Sequence, residues 1–330
     1  MNNEFILFSD THFYKNTQRS IPDTKYITSW IRSQVDILKQ IFSYATDNNV
    51  ETIIFNGDLF EEKNRIDQAV YNLVWELFKE YSEQGFNIIM NSGNHDLLTL
   101  SRQSSLRPFS NIVDVIQSPT RFYDDDYEFL FIPYGMVEEI DLSINYNYNK
   151  HILFLHEDMQ GLTYGSIRTK SNTGISSMSF KDWTHVFLGH IHRPQTLGNI
   201  VVVGSTMCQD WGESDEIKRY IYFDSQIKSI PINCPKFYQL AGLSPRIIKS
   251  IEANDKDFFR VDVSAEELSN PIFQKYNISP YVIKSTKREL RLLDSATDED
   301  DVKRYLEIVD TNLDRVLLEN IGREIISESI

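Results

Sequence analysis

Five times along the chain a short run of large apolar residues breaks off into acids, amides or histidines: FILFSDTH, TIIFNGD, NIIMNSGNHD, HILFLHED and HVFLGHIH. Runs of this length and content predict strands buried on both faces. An aspartate at the mouth of such a strand needs a partner, because Asp is rarely buried unpaired. Between the first three runs lie two amphipathic stretches. Ile27, Ile31, Val35, Leu38, Ile41, Phe42 and Ala45 recur at helical spacing in one, and Val70, Leu73, Val74, Leu77, Phe78 and Tyr81 in the other. The alternation predicts a βαβαβ series, an α/β layout with helices covering a central sheet. Further strands are expected at 128–132, 151–155, 185–188, 199–203, 219–223 and 227–232, and their density predicts a second sheet packed on the first.

The Pro and Gly punctuation of PINCPKFYQLAGLSPR reads as a connection. We therefore expect a main domain over 1–235 and a small α/β capping region over 236–298. The capping region would hold the strand-like FFRVDVS and PYVIKSTKR and a short helix from near Ala265. A helix is expected over 299–328 within a C-terminal segment 299–330, with Val302, Tyr305, Leu306, Val309, Leu313, Val316, Leu317 and Ile321 at spacings of three or four. Packing within its own region and docking of a partner protein are both compatible with that face.

No apolar run approaches the roughly 18 residues of a membrane span, and MNNEFILFSDTH has neither a basic leader nor a small-residue cleavage site. The expectation is no membrane and a cytoplasmic location, in the host cell if the protein is phage-encoded. Cys208 and Cys234 form neither a disulfide framework nor a thiolate zinc motif. A net charge of −15 argues against broad coating of a DNA backbone, which relies on many Lys and Arg contacts. It leaves a metal-dependent nuclease open, since bound cations reverse the sign locally.

In α/β sheets the ends of strands converge on one rim, so Asp10, His12, Asp58, Asn94, His95, Asp96, His156, His190 and His192 are expected to meet there. The i,i+2 spacing of Asp10 with His12 and of His190 with His192 directs each pair to one side of extended chain. Oxygen donors mixed with imidazoles suit manganese, iron or zinc. The surplus of donors over one ion's need suits two ions sharing a carboxylate about 3.5–4 Å apart.

In order, DTH, GDLF, GNHD, the strand-terminal His156 and GHIH resemble the signature of the calcineurin-like metallophosphoesterases. GDLF, with GSTMCQDWGE at 204–213, is most similar to the Mre11 and SbcD nuclease branch and its phage recombination relatives. The likeness covers roughly 1–235. It implies a two-sheet β-sandwich flanked by helices, with Asp10, His12 and His192 on a first divalent ion and Asn94, His156 and His190 on a second. Asp58 would bridge them. His95 would be a non-ligand imidazole at the scissile phosphate, its ring oriented by Asp96. Manganese is the expected ion, with magnesium or another divalent ion as the alternative.

The resemblance further implies a 3′ to 5′ exonuclease and single-strand endonuclease acting on DNA. Its expected partner is an SMC-type ATPase of the Rad50 and SbcC kind that engages the C-terminal helix, with a homodimer inside a heterotetramer. Two other readings stand beside it: a phosphatase or phosphodiesterase acting on a small-molecule or protein phosphate, and a noncatalytic scaffold, which would not need His95. Lys284, Lys287, Arg288 and Arg291 would contact phosphates or form a solvated face. His151 and His185 are expected in ordinary core or surface roles, and Cys208 as a small buried side chain.

Overall fold

All five apolar runs are strands, divided between two six-stranded sheets. The computed structural model describes residues 3–124, 126–164 and 169–282 of the chain. Described residues up to Asp262, with Leu268–Tyr281, belong to one compact unit, and Val263–Glu267 and Val282 fall to a second. The segment 299–330 and the cluster Lys284, Lys287, Arg288 and Arg291 lie outside the described residues.

The first sheet runs in the order Ile227–Pro231, Arg219–Asp224, Glu4–Phe8, Thr52–Asn56, Asn87–Asn91, Asp114–Ile116. Its last four strands are parallel, with Ile6 opposite Ile53 and Asn56 opposite Asn91. The second runs Gln195–Leu197, Ile200–Val202, His185–Gly189, Lys150–His156, Tyr127–Ile132, Thr120–Asp124. Its four inner strands are parallel, and Gly189 lies opposite His156.

Alternate residues of each strand serve two cores, which is why the runs are apolar throughout. Phe5, Leu7, Ile54 and Ile89 of the first sheet meet Phe129, Phe131, Ile152, Phe154 and Phe187 of the second in one cluster. Ile6, Phe8, Ile53, Phe55, Ile88 and Met90 face instead the helices Ser29–Asp47 and Gln68–Glu83. On the far side of the second sheet, Leu130, Leu153, Leu155, Val186 and Leu188 pack on Met159, Phe180 and Trp183. This is an α/β sandwich of two mixed sheets flanked by helices.

Helix starts follow capping chemistry. Thr28 accepts from Ile31 N, so the first helix opens after Ile27 rather than at it. Asp67 accepts from Ala69 N and Val70 N at the second. Phe42 and Tyr81 stack across the two helices at 3.6 Å.

The stretch taken as a connection is more ordered than its punctuation suggested. It contains the strand Phe237–Leu240, parallel to Phe258–Val263 in a small sheet completed by Ile278–Val282. It also runs into the helix Pro245–Glu252, capped by Ser244. Pro245 breaks nothing, because at the first helical position its missing N–H is not needed. Near Ala265 the helix is only a 3-10 turn, Glu266–Ser269. Phe258 packs edge-on to Trp30 at 5.5 Å, and Phe237 belongs to the same cluster.

Among the described residues no helix is long and apolar enough to cross a membrane. Cys208 and Cys234 are both buried free thiols.

Candidate metal centre

The two sheets are tied together at the rim where the donors gather. Asn56 and Asn91, the last residues of neighbouring strands, are fully buried between the sheets. Asn56 Nδ2 donates to Leu155 O at 2.9 Å, and Asn91 Nδ2 donates to Asn56 Oδ1 and to Ile132 O, each at 3.0 Å. Buried amides that donate across an interface set the register of the two walls.

Beyond the strands the loops run side by side: Asp10 N donates to Gly57 O, His12 N to Asp58 O and Phe13 N to Leu59 O, at 2.8–3.1 Å. Asp10, His12, Asp58 and His190 all have φ between 46° and 79°. This left-handed region costs about 1 kcal/mol per residue for ordinary side chains, and here it concentrates at the donors. Gly57, at φ 99°, and Gly93 leave room for His156. A Cβ at Gly57 would come within 2.8 Å of Gly93, and one at Gly93 within 2.8 Å of the His156 ring.

All seven residues expected to bind metal meet at this rim. His12 Nε2 and His192 Nε2 face each other at 3.0 Å, with Asp10 Oδ1 at 3.9 Å from His12. Asn94 Oδ1 lies 3.2 Å from His156 Nε2 and 2.7 Å from His190 Nδ1. Asp58 Oδ2 stands between the groups, 3.2 Å from His156 Nε2 and 3.7 Å from His12 Nε2. Asp10–His12–His192 and Asp58–His156–His190 are each compact enough to hold an ion, and His12–Glu61–His95 is a third such grouping that shares His12.

The donor chemistry fits divalent cations. Three of the four imidazoles have an acceptor at the outward nitrogen, Asn56 O at 2.8 Å from His156 Nδ1, Glu213 Oε1 at 2.8 Å from His192 Nδ1 and Asp158 Oδ1 at 3.1 Å from His190 Nε2, and Glu61 Oε2 forms an ion pair with His12 Nδ1 at 2.7 Å. A neutral ring held that way carries its proton outside and its lone pair inside. Imidazole nitrogens and carboxylates that face one another in a buried space need a proton or a metal cation between them. The donor set is that of a two-ion centre.

None of these four outer partners was singled out in the sequence, although Glu61, Glu213 and Asp158 stand in or beside the motifs GDLF, GSTMCQDWGE and HED. No spacing rule marks a residue that reaches a ligand from behind.

One expected contact differs. Asp96 does not orient the His95 ring. It is fully buried, and its carboxylate accepts from Asp58 N at 2.8 Å, Leu59 N at 2.9 Å and Gly93 N at 2.8 Å, which pins the two donor turns together. The His95 ring is held at Nδ1 by Glu61 O, 2.5 Å away, and its backbone N donates to Asp58 Oδ1 at 2.7 Å. Free amides of a turn are the nearer partners for a buried carboxylate.

Burial pushes His12 and His156 toward the neutral form, but acidic neighbours override it. Glu61, Asp58 and Asp10 raise His12 to about 9, and Asp58 and Asp10 raise His156 to about 10. Asp58 moves the other way: burial raises it, and the charges of His156 and His12 then draw it well below the carboxylate range. Asp96 is pushed up to about 7 by burial and by Asp58. His190 is lowered by burial and by His156.

The centre opens into a cleft of about 280 Å³ whose walls include Tyr14, Glu61, His95, Gln209 and Asp210. Cations held there would supply Lewis acidity toward a phosphoryl group and activate water. His95, outside both expected ligand sets, borders the same space. His151 and His185 stand away from this rim, at the starts of their strands.

The model of the family Calcineurin-like phosphoesterase matches residues 4–228, more than half of the chain. The chain is 22% identical over 205 residues to Exonuclease subunit 1 of Enterobacteria phage T4; the match covers 60% of the chain and only 60% of that relative's length. Solved structures similar to it include a dimetal phosphatase from Danio rerio (10% identity, 69% of this chain and 95% of that one, TM-score 0.44). Others are the Pseudomonas putida nuclease MPE (13%, 69% and 72%, TM-score 0.32) and the phosphoesterase Yfce from E. coli (13%, 70% and 100%, TM-score 0.34). With a two-sheet sandwich, a rim of paired metal-binding clusters and this family match, the chain belongs to the calcineurin-like phosphoesterases, and its centre is that of a metal-dependent phosphoester hydrolase.

Proposed function

We propose that the phosphoester hydrolysed is a phosphodiester of DNA, by exonuclease action from 3′ to 5′ and by endonuclease action on single strands. The observation that carries this reading is the likeness to Exonuclease subunit 1. Asp10, His12 and His192 hold one ion, Asn94, His156 and His190 the other, and Asp58 reaches both. Manganese suits this mixture of oxygen and imidazole donors. The ions supply Lewis acidity and activate water. His95 presents Nε2 to the cleft and donates a hydrogen bond or a proton to the departing oxygen, while Glu61 O holds the other ring nitrogen.

An SMC-type ATPase is the partner in this reading, docked on the helix expected over 299–328, with two copies of the chain per assembly. The capping region from about 236 belongs to the same proposal. Co-purification with such an ATPase, abolished by deletion of 299–330, is the expected result; retention after deletion would sink the docking assignment.

A second reading, hydrolysis of a small-molecule or protein phosphoester, is favoured by charge. The chain carries −15 overall and the cleft wall includes Glu61 and Asp210, which repel a polyanion until cations are bound. The deciding assay compares a DNA duplex end, a single strand, bis-nitrophenyl phosphate and nucleotide monoesters, each with added manganese. Faster turnover of DNA supports the nuclease. Monoester hydrolysis with DNA left intact establishes the second reading, and no hydrolysis of any substrate by metal-loaded protein would point to a scaffold.

A further inference from the structure

The segment after His192 in the fold carries a buried ion cluster that the hydrolytic chemistry does not use. Lys218 has a fully buried side chain. Its Nζ lies 2.6 Å from Glu213 Oε2, 2.6 Å from Glu216 Oε2 and 2.8 Å from Ser205 Oγ, and it donates to His192 O at 3.1 Å. Glu213 is itself nearly buried, and its other oxygen, Oε1, meets His192 Nδ1 at 2.8 Å. Lys218 therefore grips His192 twice, once at its backbone carbonyl and once through the carboxylate that receives its ring.

We propose that Lys218, acting through Glu213, is the positioning residue that fixes the tautomer and aim of His192, and so sets the affinity of one ion of the pair without affecting the other. The reasoning is geometric. A carboxylate with both oxygens free could take the imidazole on either and at several angles. With Oε2 occupied by Lys218, and approached by Ser205 Oγ at 3.2 Å and Gln209 N at 3.3 Å, only Oε1 remains for Nδ1–H. The Nε2 lone pair is then directed at His12 Nε2, 3.0 Å away. No comparable cluster backs His156, whose outer partner is the backbone carbonyl of Asn56. The two histidines thus differ in how they are held: His156 by main chain at a strand end, His192 by a buried side-chain relay. Outer partners of ligating histidines typically contribute a factor of about 10–100 in metal affinity.

The inference rests on the assignment of His192 to an ion shared with Asp10 and His12. Manganese titration by calorimetry, with a count of bound ions by electron paramagnetic resonance, tests both. The wild-type protein is expected to bind two ions. Lys218→Met and Glu213→Gln are expected to weaken one of them by about 10- to 100-fold and to leave the other within about twofold. Glu216→Gln serves as the control, since Glu216 touches Lys218 but not His192. It should leave both affinities within about twofold, whatever it does to the melting temperature of the metal-free protein. Unchanged affinity for both ions in Lys218→Met and Glu213→Gln, or parallel loss of both, overturns the proposal while the two-ion centre stands. Wild-type protein that binds fewer than two ions removes the assignment of the donors and this inference with it. If Lys218→Met does not fold, Glu213→Gln alone decides, because it keeps the volume while its single amide oxygen cannot accept from both Lys218 and the His192 ring.

Discussion

Two histidines of one strand, Lys150–His156, show what separates a structural site from a chemical one. His151, near the amino end, is buried with Nδ1 at 2.8 Å from Glu128 Oε2. Glu128 is in turn paired with Arg121 and accepts from Asn145 N at 2.8 Å. Every charge in that group meets an opposite charge or a donor. His156, at the carboxyl end, is also buried, and its inner nitrogen faces Asp58 Oδ2 and Asn94 Oδ1, each at 3.2 Å, and Asp10 Oδ1 at 3.9 Å. Both groups bury a histidine with an acid. Only the second brings a carboxylate and a second imidazole, Asp58 and His190, within ligand reach of the same ring, and that, rather than burial or charge, marks a cation site.

The comparison breaks first at Asp58. Its oxygen stands between the two groups, so Asp58→Asn is expected to deplete both ions and reduce hydrolysis to background, read as metal content by mass spectrometry and as turnover. Loss of a single ion would show that the groups are independent. His95→Gln comes next: turnover should fall by about 10²–10⁴ with both ions retained. Equal metal loss in the two variants would make His95 a ligand.

Glu128→Gln tests the other end of the strand. Breaking a buried ion pair costs about 3 kcal/mol, so the denaturation midpoint should drop while manganese affinity stays at the wild-type value; altered affinity would mean that the two ends of the strand are coupled. The smallest and most graded effect is that of pH. In metal-free protein His12 and His156 hold protons up to about 9 and 10, and metal must displace them. Manganese affinity should therefore rise between about pH 6.5 and 9, by about tenfold per unit for each proton displaced. The sign is opposite for the fold without metal. Folded-state values raised above 6.5 add stability that is complete below pH 6.5 and lost as pH climbs through 9. A flat affinity profile would mean that both histidines are already neutral in the metal-free protein.

Much of this site was legible beforehand because ligands are a local matter. A donor at the end of an apolar strand is written as a strand followed by a turn, and parallel strands bring such ends to one rim. The helix Pro245–Glu252 was legible too: Ser244, Pro245 and the spacing of Ile247, Ile248 and Ile251 are an N-cap and an apolar face. It was passed over because Pro and Gly nearby read more loudly as a connection. Asp96 misled for a different reason. The family resemblance implied a partnership with His95, but neighbours in a tight turn point apart, and the carboxylate found the amides of Asp58 and Leu59 instead.

By itself the sequence determined which residues could bind metal and that strands would present them, because each of these is encoded within a few consecutive residues. The tertiary structure alone decided what holds them: Asn56 and Asn91 bonding across two sheets, Glu61 behind both His12 and His95, and Lys218 and Glu213 behind His192. These contacts join segments tens of residues apart or more, and their strength comes from burial, which exists only once the two sheets have closed.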